Sequence, residues 1–456
     1  MPPQQTSSTD DGVSHSCTLP HEASNKPTRA VAIHPTRSIP LLNFIDMFSV
    51  ALVVPLLNQY YKDAGVSSAS LRELLNSLFS GSQILGSLVM GALSDSGILS
   101  RKHILYISFL GSALSYSLIV YGGVRGLVLS RAIVGGVKQT FTISTSMISS
   151  YTTPEERSRH IGRLSSCSVA AFIVGPSVGA YLYKNVDKRA PALLAAALFV
   201  FNFVLAFFLL PNESQHERNQ STSGDADADG GSNKFASFIQ NFKACFSSKD
   251  LGAIVMSTLL FGWISRATSY ESMASFYEQL FGIEPHQRGY LRSYNSMLAF
   301  VFQTLFVQSA LKLVGGEYNA VCAASGAIAI ATALELRSSL HFFLLVVCPI
   351  VAVANSILRL SLRSLVTQTA PKESLGSILA ALDVMQNAFS VSVPFYRTFL
   401  FNRLAYADEN EDSEAAMKGD PNPQMWLKSS LLHWLIATAI MVRLLLNRKR
   451  YVKKDM

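Results

Sequence analysis

Residues 190–210 read APALLAAALFVFNFVLAFFLL, a run without a single charge. A helix rises about 1.5 Å per residue, so about 20 such residues cross the roughly 30 Å of hydrocarbon in a bilayer. Backbone exposed to lipid must satisfy its hydrogen bonds internally, which leaves helices and closed barrels. A run this long, with no apolar and polar alternation, suits a helix. Working outward, comparable runs precede it at 39–60, 72–93, 103–122, 126–149 and 164–184. Others follow at 251–276, 290–311, 319–336, 339–361, 376–399 and 427–446. The reading is an all-α membrane protein of twelve transmembrane helices, split six and six by a polar stretch at 211–250.

Composition narrows the function classes. Of 456 residues, 49% are hydrophobic and only 15% charged, against about a quarter charged in soluble domains. The net charge of +8 does not indicate nucleic acid, because the Lys and Arg residues lie between the apolar runs rather than on one basic face. Anionic membrane lipids are the simpler partner. Cys17, Cys167, Cys245, Cys322 and Cys348 have no pairing or metal-ligand spacing, so free thiols and no metal are expected. There is no phosphate-binding loop and no nucleophile constellation. The expectation is therefore no cofactor, no ATP-driven transport and no enzymatic chemistry.

Charge also orients the chain. With both termini on one side, the loops sharing that side carry roughly 22 Lys and Arg against roughly 13 opposite, so the positive-inside rule places both termini in the cytoplasm. Arg101, Lys102, Arg157, Arg159, Arg163 and the tail from Arg448 contribute most. The expected organisation is a disordered tail over 1–38, a six-helix bundle over 39–210, a linker over 211–250, a second bundle over 251–447 and a basic tail over 448–456. Residues 1–38 are polar and lack the short apolar run of a cleavable signal. Within the linker, Phe235, Phe238, Ile239, Phe242 and Phe246 recur at helical spacing beside Lys234 and Lys243, which predicts an interfacial amphipathic helix near 234–246. The sequons at Asn212 and Asn219 would stay cytoplasmic and unmodified. Thr152, Pro154 and Glu156 have counterparts in Thr369, Pro371 and Glu373, as does Pro176 in Pro394, a pattern expected of parallel six-helix repeats.

Three motifs carry a resemblance. Gly91, Ala92, Leu93, Ser94 and Asp95 close the second run and are followed by Arg101 and Lys102. A carboxylate at such a turn can meet basic residues and a neighbouring helix N-terminus and latch one conformation. Arg131, Gly135 and Lys138 lie four and seven apart in the fourth run, on one helical face. The fifth carries Gly175, Pro176 and Gly179, residues that permit bending and close approach. Together with Asp46, nine residues before Pro55 in the first run, these motifs resemble the major facilitator superfamily, in particular its tetracycline-resistance-like drug:proton antiporters and their eukaryotic domain-containing orphan relatives. Ser96 stands where the family has Arg, and Ala180 where it has Gly. The resemblance implies two pseudo-symmetric six-helix bundles around a cavity that opens alternately to each side, working as a monomer.

A charge at the bilayer centre costs about 3 kcal/mol or more, so it normally faces a cavity or a partner. Counting along the runs places Asp46, Asp383 and Lys138 roughly 10, 14 and 18 Å deep. The expectation is that Asp46 pairs with Lys138 in one state and that proton or substrate binding releases the pair, with Asp95 and Arg101 serving the gate. Arg131, Arg266, Asp383, Gln386 and Asn387 are the candidate cavity residues. Gly91, Gly135, Gly175, Pro176 and Gly179 are the candidate packing positions. The leading functional expectation is a proton-coupled antiporter of a small organic solute. An organic-anion uniporter or symporter and a solute receptor that does not transport both remain open, as does the choice of membrane.

Overall fold

A computed structural model describes residues 35–66, 68–95, 98–210, 242–269, 276–371, 375–406 and 422–452. The described parts of the apolar runs are almost wholly helical, several runs being divided between two or more consecutive helices, and no strand occurs among the described residues. The first half consists of α1 (Pro35–Val53), α2 (Leu57–Asp63), α3 (Ala69–Asp95), α4 (Arg101–Tyr121), α5 (Gly123–Val137), α6 (Thr140–Tyr151), α7 (Pro154–Asn185) and α8 (Ala190–Leu209). The second half consists of α9 (Lys249–Ala267), α10 (Phe276–Phe281), α11 (Gln287–Leu305), α12 (Val307–Val314), α13 (Glu317–Glu335), α14 (Leu340–Phe342), α15 (Cys348–Thr369), α16 (Leu375–Tyr406) and α17 (Pro423–Val452). Among the described residues, seven helical segments are long and apolar enough to cross a membrane by composition alone. Polar site residues occur on both sets: Asp46 lies on one of the seven, Glu73 and Arg266 on helices outside them.

The breaks have local causes. Pro55 lacks an N–H, so the first run tightens to a 3₁₀ turn at Val54–Leu56. Pro349 in the first turn of α15 follows a π turn at Phe343–Val347, where the regular ladder cannot continue. The fourth run, read as one helix over 126–149, is interrupted: α5 ends at Val137 and α6 begins at Thr140. There is no proline there. Gly135 and Gly136 weaken the helix, and a tertiary ion pair at Lys138, described below, takes over. The seventh run, expected to reach 276, is helical only to Ala267; residues 270–275, including Tyr270 and Glu271, lie outside the described residues. So does most of the amphipathic helix expected near 234–246. Cys167, Cys245, Cys322 and Cys348 are free thiols.

Small residues set the helix spacing. A Cβ added to Gly135 would lie 2.6 Å from the Phe79 carbonyl oxygen, and one on Gly86 would collide with the Gly136 backbone, so α3 and α5 touch backbone to backbone. Added methyl groups on Gly175 and Gly179 would strike Ala51 and Leu52, which seats α7 on α1. At Gly91, nothing among the described residues lies within 4 Å of a Cβ position.

The apolar cores separate by half. One gathers Leu42, Leu52, Phe109, Met147 and Phe199; two others gather Leu259, Leu358 and Trp434, and Phe343, Phe401 and Trp426. The polar contacts described between the halves all lie at the end away from the chain termini. Lys62 Nζ meets Glu278 Oε2 at 3.5 Å, Arg397 Nη2 meets Glu73 Oε1 at 3.2 Å, and the Ser177 N–H donates to Ser293 Oγ at 3.1 Å. Gly289 of α11 fits directly over Pro176 and Ala180 of α7. The space that Ala180 fills in place of glycine is thus recovered by a glycine on the opposing helix.

Candidate functional site

The break in the fourth run delivers two donors to one carboxylate. Asp46, fully buried on α1, accepts from Lys138 Nζ at 2.6 Å and from Thr140 Oγ1 at 3.2 Å, both at Oδ1. Lys138 is the residue at which α5 ends and Thr140 the first of α6, so the carboxylate faces the positive end of a new helix as well as an ammonium. Lys138 Nζ also lies 4.5 Å from the centroid of the Phe199 ring, within cation–π reach. Thr140 Oγ1 is held in turn by Ser108 Oγ at 2.9 Å. The second oxygen of Asp46, Oδ2, is buried with no hydrogen-bond partner. A buried pair of this kind is held by geometry, and removal of one partner costs about 3–5 kcal/mol.

Lys138 of the pair borders a recess of about 220 Å³, lined also by Gln139, Ser80, Gln83 and Asn387. Ser80, Gln83 and Asn387 also line a larger cavity of about 480 Å³ between the halves, with Glu73, Arg266 and Arg397 on its walls. Arg266, Arg292 and Asn295 continue from there into a recess of about 430 Å³ inside the second half. The result is one polar, predominantly cationic cavity system reaching from Lys138 to the far wall of the second bundle.

The sequence candidates distribute unevenly around it. Arg266 and Asn387 line the cavity. Asp383 faces Arg363 at 3.6 Å, both about half exposed, and is not among the lining residues described. Gln386 lies beside Gly262, where α16 passes α9. Arg131 is buried against the Phe79 ring and Ser130 and is not among the lining residues described. Arg101 donates to Ser150 of α6; the side chain of Asp95 lies outside the described residues. Lys102, part of the same motif, closes the end of α8 by donating to the Leu210 carbonyl at 2.6 Å.

Several site residues escaped the sequence reading: Glu73, Arg288, Arg292, Arg359 and Arg397. Helical spacing held the signal. Arg288, Arg292 and Asn295 share one face of α11, as Asn355, Arg359 and Arg363 share one face of α15. Each series lies near a span end, where a basic residue is ordinarily a flank.

Residues 40–394 match the Major Facilitator Superfamily. The chain belongs to that superfamily. As a major facilitator it is an integral, multi-pass membrane protein, and its relatives are transporters rather than enzymes. It is 31% identical over 177 residues to the tetracycline resistance protein, class C, of Escherichia coli, a match that covers 38% of this chain and 44% of that protein. The match thus spans under half of that relative's length. A longer match, 25% identical over 311 residues, covers 67% of this chain and 74% of multidrug resistance protein 2 of Bacillus subtilis. Among solved structures, the nucleoside transporter NupG superposes with a TM-score of 0.68 at 13% identity, covering 91% of this chain and 99% of NupG. The human organic anion transporter MFSD10 (TETRAN) superposes with a TM-score of 0.60 at 17% identity, covering 91% of this chain and 100% of that one. At such identities the structural likeness establishes the major facilitator fold.

Proposed function

We propose that this major facilitator is a secondary active transporter that moves a small organic solute by alternating access, in exchange for protons handled at Asp46 and Lys138. The observation that carries the reading is the buried Asp46–Lys138 pair at the interruption between α5 and α6. Discontinuous helices at mid-membrane, with helix ends and an ion pair aimed at one point, are the ordinary construction of a coupling site. Protonation of Asp46 cancels the charge that holds Lys138. The ammonium already borders the recess shared with Asn387, so it turns to water there. Loss of the pair unties α1 from the α5–α6 break, and the first bundle is freed to tilt.

The contact pattern supports the same reading. The polar contacts between the halves sit at the end away from the termini. With both termini in the cytoplasm, this is the arrangement of a transporter closed to the outside. Drug resistance proteins are among the relatives matched in sequence, which accords with outward movement of an organic solute.

The deciding experiment follows internal pH in proteoliposomes carrying the purified chain while a panel of lipophilic cations and organic anions is added, with Asp46→Asn in parallel. The expected result is a solute-dependent pH change that the variant loses. Labelled solute crossing the membrane with no pH change would overturn the coupling and leave facilitated transport.

A further inference from the structure

We infer that the recess inside the second half is a binding site for an organic anion, with Arg266 and Arg359 as the groups that grip its acidic end. Arg266 comes from the last turn of α9 and Arg359 from α15, and both line the recess of about 430 Å³. They are close enough for each charge to act on the other. Neither forms an ion pair with a carboxylate among the described residues, whereas the neighbouring cavity arginines do: Arg397 with Glu73 at 3.2 Å and Arg288 with Glu278 at 3.3 Å. Asp383 does not serve Arg359, because it is engaged by Arg363 one turn further along α15. Glu335 is the acidic group on this wall and is itself 2% exposed; against it stand Arg266, Arg292 and Arg359, so positive charge is in excess.

Both side chains are exposed, and both line the recess. With no carboxylate of their own among the described residues, the two like charges are available to an anion that enters it. The planar guanidinium fork matches a carboxylate, sulfonate or phosphate in two parallel hydrogen bonds. The same recess is also lined by Ile328, Phe343, Val351 and Trp434. The chemistry it fits is therefore an acid carrying an apolar, aromatic-sized body. This names the solute class for the transporter reading and rests on it, but binding is measurable at equilibrium without flux, so the two ideas fail separately.

The test uses the full chain in phosphatidylcholine nanodiscs with three probes: 2-naphthoate, phthalate and, as the cationic control, tetraphenylphosphonium. A concentration-dependent rise in Tm with the aromatic acids, but not with the cation, is expected. Arg266→Gln and Arg359→Gln should each weaken acid binding on the order of tenfold, the loss expected for a hydrogen bond to a charged group. Without ligand, both variants should melt at or above the wild-type temperature, because a repulsion is removed. Tighter binding of tetraphenylphosphonium, or acid affinity unchanged in both variants, overturns the proposal. So does a lowered melting temperature in both variants without ligand, which makes the pair structural. Stabilisation by phosphatidylserine in the disc, with none from the soluble acids, also overturns it and assigns the arginines to a lipid headgroup.

Discussion

Arg397 of α16 reaches Glu73 of α3 across the boundary between the halves, Nη2 to Oε1 at 3.2 Å, with both side chains about 95% buried. The contact is an ion pair without an aligned N–H···O bond at that nitrogen, and the guanidinium is flanked by the Phe401 and Trp426 rings at 5.6 and 5.7 Å. Glu73 and Arg397 also line the central cavity. The ion pair thus closes one end of the cavity and is exposed to whatever occupies it.

Glu73→Gln leaves a buried guanidinium without its carboxylate, a loss of about 3–5 kcal/mol from the state closed at this end. The population should move towards the state open there. Labels at Lys188 and Glu284, on opposite halves at this end, should report a longer distance by electron–electron resonance. The exchanged pair Glu73→Arg with Arg397→Glu should restore part of the short distance. An unchanged distance in Glu73→Gln would show that apolar packing alone holds the closure.

Asp46→Asn and Lys138→Met each strand one charge of a buried pair, and each should lower stability by about 3–5 kcal/mol, read as reduced Tm in detergent. The double variant carries no stranded charge and should recover most of that loss while moving no protons. The two readouts separate structure from coupling. A double variant that still exchanges protons would remove Asp46 and Lys138 from the proton path.

The physical reasons for what the sequence disclosed are visible at these residues. Asp46 and Lys138 stood out because a charge far inside an apolar run has few innocent explanations. Arg288, Arg292, Arg359 and Arg397 sit near span ends, where long basic side chains commonly reach to the interface, and only the tertiary packing of the helices brings them to the cavities. Seven of the spans are legible from length and hydropathy alone among the described residues. The interruption at Lys138 is not, because no proline marks it and its cause is a contact with α1 distant in sequence. Gly135, Gly175 and Gly179 were recognisable by their spacing and do pack closely. Gly91 obeys the same motif logic but meets no described residue within 4 Å of a Cβ position, since a motif records the residue and not the neighbour it meets.

Gly289 provides a steric counterpart to the ionic closure. A Cβ there would collide with the Pro176 carbonyl oxygen and lie 2.7 Å from the Ala180 methyl. Gly289→Leu should therefore hold α11 away from α7, at an overpacking cost of about 1–3 kcal/mol to the closed state, which lowers its population on the order of tenfold. The same Lys188 and Glu284 labels should separate, while Ala180→Gly in the same chain should bring them partly back. No change would mean that the helices slide to accommodate the side chain.

His286 gives this end a pH dependence of predictable sign. It lies in the loop before α11, and burial pushes its imidazolium below the ordinary histidine pKa of 6.5. Lys184 of the opposite half adds to that displacement, and Glu284 at 3.1 Å opposes it. Tyr290 stands beside the ring. Because the closed end binds the proton more weakly than an open, hydrated end would, closure has its full stability above about 6.5 and loses it as pH falls through that value towards the lowered one. With labels at Lys188 and the exposed Gln279, which leave Glu284 in place, the two halves should move apart as the solution is acidified between about pH 7.5 and about pH 5. His286→Gln carries no proton and should abolish the response, and Lys184→Gln should shift it to lower extent by removing the repulsion. An identical pH response in His286→Gln would place the titrating group elsewhere.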